Sequence, residues 1–214
     1  MANVTYNPNI FRVPDMEAAK RIILTPEGST TEARWASETP YLAELIAGKL
    51  DLRAGQTVVD YGCGIGRMAK ALIERCGCHV LGVDMSQEMR GLAPAYVDSP
   101  NFSAVSNLVF IALMKGGLRV DAAISVWVLQ HCLTPDRDIA LIRAALRPGA
   151  PLGVVNTKRR CVPTVEKPWA NDGIDLRKLL SESFIEREVC ELDAAFVGES
   201  TARSSFWGVY GKAP

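Results

Sequence analysis

From residue 57 onward, apolar positions alternate between two rhythms. Short apolar runs at 57–60, 79–83, 102–105, 121–125 and 152–156 are too brief for helices and rich in Val, Leu, Ile and Ala, so each predicts a buried strand. Between them lie helices at 67–75 and about 87–96, an unassigned stretch around 108–117, and a helix opened by Thr134-Pro135 and closed at Arg147-Pro148-Gly149. Such alternation forces parallel strands joined by right-handed helical crossovers, so the expected fold is a doubly wound α/β sheet with helices on both faces. Residues 184–192 and 205–211 read as two more strands with a short connection. A ligand crevice in a sheet of this kind lies beyond the strands' C-terminal ends, where Asp60, Asp84, Asn107 and Ser125 fall.

Ahead of the first strand the pattern changes. Residues 1–28 are polar and punctuated by proline, and then Ser29-Thr-Thr-Glu32 reads as a capping box before a short helix containing Trp35. Thr39-Pro40 starts a second helix, since proline is tolerated at the first helical position, and Tyr41, Leu42, Leu45, Ile46 and Leu50 give it an apolar face. Residues 1–50 are therefore expected to form an N-terminal helical cap segment and residues 51–214 one compact domain. A chain of 214 residues, 48% hydrophobic, buries a core of that size without a second domain. Residues 157–172, with four cationic side chains, Pro163, Pro168 and Trp169, run long for a connection and are a candidate lid or acceptor loop.

The chemistry concentrates in Thr57-Val-Val-Asp-Tyr-Gly-Cys-Gly-Ile-Gly-Arg67. A buried strand ends in an acid, three alternating glycines let the backbone turn and approach a ligand, and Arg67 opens a helix whose free N–H groups face the same place. A dinucleotide fingerprint would need its third glycine at residue 67, which is arginine, and Asp60 would repel a pyrophosphate. An acid there suits a cationic ligand. In this motif, in residues 121–131 and in Leu146-Arg-Pro-Gly149 with the strand after it, the chain resembles the class I S-adenosylmethionine-dependent methyltransferases.

The resemblance implies a seven-stranded, mostly parallel Rossmann-like sheet with an antiparallel C-terminal strand, and S-adenosylmethionine as cofactor. It places Asp60 and the Gly62 and Gly64 backbone at the methionine moiety, Asp84 on both ribose hydroxyls and Met85 on the adenine face, with Tyr61, Cys63 and Met89 as further cofactor contacts. Ser106-Asn107 stands where many relatives carry Gly-Asp for the adenine amino group, and asparagine still offers a carbonyl acceptor. Ser125 and Val126, followed by Trp127, lie where relatives line the methyl end. Arg34 or Arg67 would reach the cofactor carboxylate, with Arg34 preferred on an N-terminal helix that closes the pocket. His131 is the acid/base candidate, its ordinary pKa lying near ~6.5, against a purely hydrogen-bonding role at the start of a helix. Trp35, Tyr41, Trp169 and Trp207 are candidates to wall an acceptor pocket or to fill the core.

Charge and composition narrow the partners. Twenty-four basic residues balance twenty-four acidic ones, so the basic footprint of a nucleic-acid binder is missing and a small or neutral acceptor is favoured. No apolar stretch nears the ~18 residues of a membrane span, and the start lacks a basic-then-apolar signal, which makes a soluble cytoplasmic protein the expectation. Six scattered cysteines and two histidines provide no zinc spacing, so the cysteines read as reduced structural thiols and no metal is expected. The expected function is methyl transfer to a small molecule. An NAD-dependent oxidoreductase and a non-catalytic S-adenosylmethionine-binding subunit are the alternatives, and the acceptor atom and oligomeric state stay open.

Overall fold

A computed structural model describes residues 5–213. Seven strands form one sheet in the order β3-β2-β1-β4-β5-β7-β6. They are β1 (Thr57–Tyr61), β2 (His79–Val83), β3 (Phe102–Val105), β4 (Ala122–Val126), β5 (Pro151–Thr157), β6 (Ile185–Cys190) and β7 (Ser205–Gly211). β1 to β5 run parallel, and β7 pairs antiparallel with both β5 and β6. The order reverses between β1 and β4, which is where a doubly wound sheet opens its ligand crevice.

Both faces of the sheet are covered, which is why its central strands read as unbroken apolar runs. Val58, Val80, Ala122, Ile124 and Trp207 face one core, shared with α2 (Thr31–Lys49) and α3 (Arg67–Cys76). Val59, Tyr61, Val83, Ala123 and Leu152 face the other, shared with α5 (Asn107–Lys115), α6 (Pro135–Ala145) and α7 (Leu176–Ser183). In β1 this period of two sends Asp60 to the side of α3 and Tyr61 to the side of α5 and α6. α4 (Gln87–Val97) connects β2 to β3, and α8 (Ala194–Val197) and α9 (Glu199–Ser204) fill the connection from β6 to β7 that reads as short in the sequence.

The N-terminal segment differs from the expectation in two ways. First, residues 16–23 form a helix, α1 (Met16–Ile23), capped by the Asp15 carboxylate accepting from the Ala18 N–H at 2.8 Å. Second, the two helices expected on either side of Pro40 are one helix, α2, whose N-cap is Thr30 rather than Ser29. Pro40 sits inside it and removes one backbone hydrogen bond, at a cost of ~3 kcal/mol. Leu42, Ile46 and Leu50 are all buried against the sheet, each contributing ~1.5–3 kcal/mol, and this burial outweighs the break. α2 thus shares its core with residues 51–214.

Residues 157–172 do not hang free. Tyr6 and Thr164 form a bridge, with Asn7 N–H donating to the Pro163 carbonyl at 2.9 Å and Val165 N–H to the Thr5 carbonyl at 2.9 Å. The loop after β5 and the start of the described chain therefore make one strap. Among the described residues, no helix is long and apolar enough to cross a membrane, and no cluster of three His, Cys, Asp or Glu side chains has the arrangement to hold a metal.

Candidate active site

A cavity of about 300 Å³ opens at the C-terminal ends of β1 to β4. Its floor is the glycine turn. Gly62 has φ +80°, and a Cβ there would sit 2.3 Å from the Val128 side chain, so only glycine lets the β1 turn pass beneath the β4 end. The turn is tied to β2: the Gly62 N–H donates to the Val83 carbonyl at 2.7 Å, and the Gly64 N–H to Asp84 Oδ2 at 2.8 Å. Asp84 Oδ1 accepts from the Ser86 N–H at 2.8 Å. Each carboxylate oxygen is thereby aimed while keeping a further acceptor site.

Asp60 is buried beside this turn, and its Oδ2 has no partner. Burial, reinforced by the Asp84 charge and opposed by Arg67, pushes its carboxyl up to about 7. Burial also raises Asp84, against the two backbone N–H bonds that hold it down. At the end of β3, Asn107 Nδ2 donates to the Tyr61 hydroxyl at 3.0 Å, and that hydroxyl donates to Asp138 at 2.5 Å. Because the Tyr61 proton goes to Asp138, Asn107 must give its amide N–H to Tyr61, which fixes its orientation. Asn107 Oδ1 is left buried without a partner at the cavity. The Tyr61 hydroxyl is itself pushed far up by burial and by Asp138.

Behind Asp60 lies a cluster absent from the sequence reading. Glu38, fully buried in α2, accepts from Arg34 at 2.8 Å, from Arg67 at 3.3 Å and from Trp127 Nε1 at 2.7 Å. Arg67 and Trp127 line the cavity from α3 and from the end of β4. Trp127 has φ +61°, a strained conformation for a bulky residue, and Glu38 holds its ring from outside.

Residues 58–149 match a protein family described as a methyltransferase domain. Over those residues the chain is similar to methyltransferase domains. An N-demethylindolmycin N-methyltransferase of Streptomyces griseus is 33% identical over 107 residues, 47% of this chain and 44% of that protein. A malonyl-[acyl-carrier protein] O-methyltransferase of Pseudescherichia vulneris is 24% identical over 167 residues, 78% of this chain and 61% of that protein. This chain spans less than two thirds of the length of these curated relatives. In fold, it superposes on the structure of a SAM dependent methyltransferase from Aquifex aeolicus with a TM-score of 0.62 at 16% identity, covering 93% of this chain and 99% of that one.

Of the residues read as cofactor contacts, the fold brings Asp60, Tyr61, Gly62, Cys63, Gly64, Asp84, Met85, Met89, Asn107 and Val126 onto one cavity. Three do not line it. Arg34 is buried behind Glu38 and donates to the Thr25 carbonyl at 2.6 Å, so the preference between the two arginines reverses in favour of Arg67. Ser106 caps α5 by accepting from the Val109 N–H at 3.3 Å. Ser125 is fully buried on the sheet, away from the lining.

His131 does line the cavity, with both ring nitrogens engaged. Nδ1 lies 2.7 Å from the Cys161 carbonyl and must donate to it, which leaves the Nε2 lone pair to accept from Gln130 Nε2 at 3.2 Å. Burial lowers its pKa to about 4, so it is neutral. Trp169 packs on it with ring centroids 4.9 Å apart. The other aromatic candidates pack elsewhere: Trp35 on Tyr96, Tyr41 stacked on Phe196, and Trp207 in the core.

The cover over this cavity comes from α1 and the residues before it, where no helix was expected. Ile22 and Ile23 of α1 and Phe11 and Tyr6 before it line the cavity, and a Cβ on Gly64 would meet the Ile23 side chain at 2.8 Å. Sequence signals for this cover existed in Asp15-Met-Glu-Ala18, an N-cap with an acid in the first turn, and in the Ile22-Ile23 pair.

Proposed function

We propose that the protein transfers a methyl group from S-adenosylmethionine to a small-molecule acceptor. The observation that carries this reading is the convergence of three groups with spare acceptor capacity, Asp60, Asp84 and Asn107, from three successive strand ends onto one cavity. The cofactor offers a matching series of donors: an ammonium group, a ribose diol and an adenine amino group.

Asp60 takes the ammonium, whose positive charge offsets the burial that otherwise keeps the carboxyl protonated near pH 7. Asp84 takes the diol with the acceptor sites its two backbone bonds leave free. Asn107 Oδ1 takes the amino group, replacing the aspartate of many relatives. Arg67 faces the cofactor carboxylate, and Met85 and Met89 pack beside the base. Bound there, S-adenosylmethionine would supply an electrophilic methyl group, with Trp127 and His131 lining the same cavity.

The protein's own contribution is positioning and the exclusion of water by Phe11, Ile22 and Ile23. His131 acts as wall, because both nitrogens are occupied. Judged by their names, the two relatives methylate at nitrogen and at oxygen, so they do not select an acceptor atom. Six free cysteines fit a reducing compartment such as the cytoplasm.

The test is incubation with S-adenosylmethionine labelled in its methyl group and a metabolite extract, read by mass spectrometry for S-adenosylhomocysteine and one labelled product. Binding of S-adenosylhomocysteine with no labelled product would instead support a non-catalytic binding subunit. Binding of NAD alone would contradict both.

A further inference from the structure

Three side chains from three elements form a relay at one end of the cavity. Tyr61 ends β1, Asn107 is the first residue of α5, Asp138 lies in the first turn of α6, and all three line the cavity. Asp138 Oδ1 lies 2.5 Å from the Tyr61 hydroxyl, and Asn107 Nδ2 lies 3.0 Å from the same oxygen. The Tyr61 ring is buried and packs on Phe110 with centroids 6.4 Å apart, which holds the hydroxyl between its two partners.

One proton sets the polarity of this relay. A carboxylate only accepts, and the free N–H groups at the start of α6 favour its charge, so the Tyr61 proton goes to Asp138. The two lengths agree with that direction, since 2.5 Å is the range of an O–H···O⁻ bond and 3.0 Å that of an N–H···O bond. Burial and the Asp138 charge hold the proton on Tyr61 and keep a phenolate from forming. With that proton committed, the Tyr61 oxygen meets Asn107 as an acceptor. The Asn107 amide turns Nδ2 toward it and is left with Oδ1 buried at the cavity, without a partner among the described residues.

We propose that Asp138, acting through Tyr61, is the positioning residue that makes this site select a purine with an amino group at position 6 over one with an oxo group there. The proposal rests on the reading that the adenine of S-adenosylmethionine lies at Asn107. A 6-amino group gives Oδ1 the donor it lacks. A 6-oxo group sets acceptor against acceptor and leaves both without a hydrogen bond in a buried site.

The same relay gives a reason for asparagine at 107. In Asn107→Asp two carboxylates would flank the Tyr61 oxygen, which has one proton to give. The amide instead supplies its own proton on that side and keeps an acceptor for the base. Exchanging the two groups restores the balance. In Asn107→Asp/Asp138→Asn the Tyr61 proton goes to the carboxylate at 107, the amide at 138 donates to the Tyr61 oxygen, and the second carboxylate oxygen at 107 is left for the base.

The test is calorimetric titration of S-adenosylhomocysteine and of its 6-oxo counterpart, S-inosylhomocysteine, into the wild type, Tyr61→Phe, Asp138→Asn, Asn107→Asp and Asn107→Asp/Asp138→Asn. The wild type should bind S-adenosylhomocysteine at least about tenfold more tightly than the 6-oxo ligand. In Tyr61→Phe and in Asp138→Asn the amide at 107 is free to turn either way, and that ratio should fall at least about fivefold. The change at purine N1 that accompanies the oxo group is common to every variant, so a change in the ratio reports position 6. A merely structural role would weaken both ligands together and leave the ratio alone. Asn107→Asp should weaken S-adenosylhomocysteine at least about tenfold, and adding Asp138→Asn should bring it back to within about threefold of the wild type.

Equal affinity of the wild type for the two ligands, or an unchanged ratio in Tyr61→Phe and Asp138→Asn, overturns the proposal and leaves the cofactor reading standing. A double variant that binds S-adenosylhomocysteine no better than Asn107→Asp does the same. Tyr61→Phe keeps the buried ring, so its ratio decides if a charge variant fails to fold. Failure of the wild type to bind S-adenosylhomocysteine at all removes the cofactor reading instead.

Discussion

Asp60 is the residue whose ionisation should be felt most directly. Its folded pKa is raised from 3.8 to about 7, so its contribution to stability is full below pH ~4 and is lost as pH rises toward 7. A cation bound at its free oxygen reverses that preference. Affinity for S-adenosylhomocysteine should therefore fall about tenfold per pH unit below 7 and level off above it, and Asp60→Asn should bind weakly with that step removed. Calorimetry across pH 5.5 to 7.5 reads both. Asp84→Ala should cost tenfold or more in affinity, since each hydrogen bond to a charged group is worth about 1.5–3 kcal/mol and the Gly64 N–H loses its partner too. Glu38→Ala leaves Arg34 and Arg67 buried without their carboxylate, a loss of about 3–5 kcal/mol, and should lower the melting temperature by several degrees. Asp60 and Asp84 were legible because strand ends and a glycine turn fix where a carboxylate points. Glu38 was not: four residues after Arg34 on a helix, it has the spacing of an ordinary solvated ion pair, and its burial depends on Arg67 and Trp127 arriving from distant elements.

Among the elements, the five parallel strands and three of the four helices between them were readable to within a residue or two, because each is buried on a face its own periodicity marks, whereas α5 was left unassigned. The N-terminal helices were harder. Pro40 carries the local signal of a helix start, and only the apolar face formed by Leu42, Ile46 and Leu50 against the sheet carries α2 through it. Pro40→Ala should restore the hydrogen bond to the Ala36 carbonyl and regain part of that ~3 kcal/mol, each kcal/mol raising the thermal melt by about 2–4 °C, whereas a kink required by the packing would make the variant less stable. α1 is short and amphipathic, so its burial over Gly64 is visible only once the glycine turn is in place. The mobile cover is therefore expected in residues 8–23 rather than in the Arg34 helix, α2. On saturation with S-adenosylhomocysteine, hydrogen exchange should slow at 16–23 and at 61–67 and change little across α2, which is packed against α3 and α8.

At the scale of the molecule, the sheet order places four strand ends around one opening, and a strap made of residues 5–7 and 163–166 brings Tyr6 to its lining. The doubly wound parallel sheet was legible from alternation and the handedness of crossovers, and the antiparallel C-terminal strand only from the family resemblance. The strap was not, since its partners lie far apart in sequence and carry no periodic pattern. Cofactor binding here should stabilise the whole fold by mass action, about 2.7 kcal/mol at a hundredfold excess over Kd. The most direct test is a calorimetric titration of the wild-type protein with S-adenosylhomocysteine and, in parallel, with NAD, repeated on Asp84→Ala. One equivalent of S-adenosylhomocysteine should bind the wild type, the variant should bind it at least tenfold more weakly, and NAD should give no heat. Binding of NAD, or undiminished binding of S-adenosylhomocysteine by Asp84→Ala, would contradict the placement of the cofactor at the ends of β1 and β2.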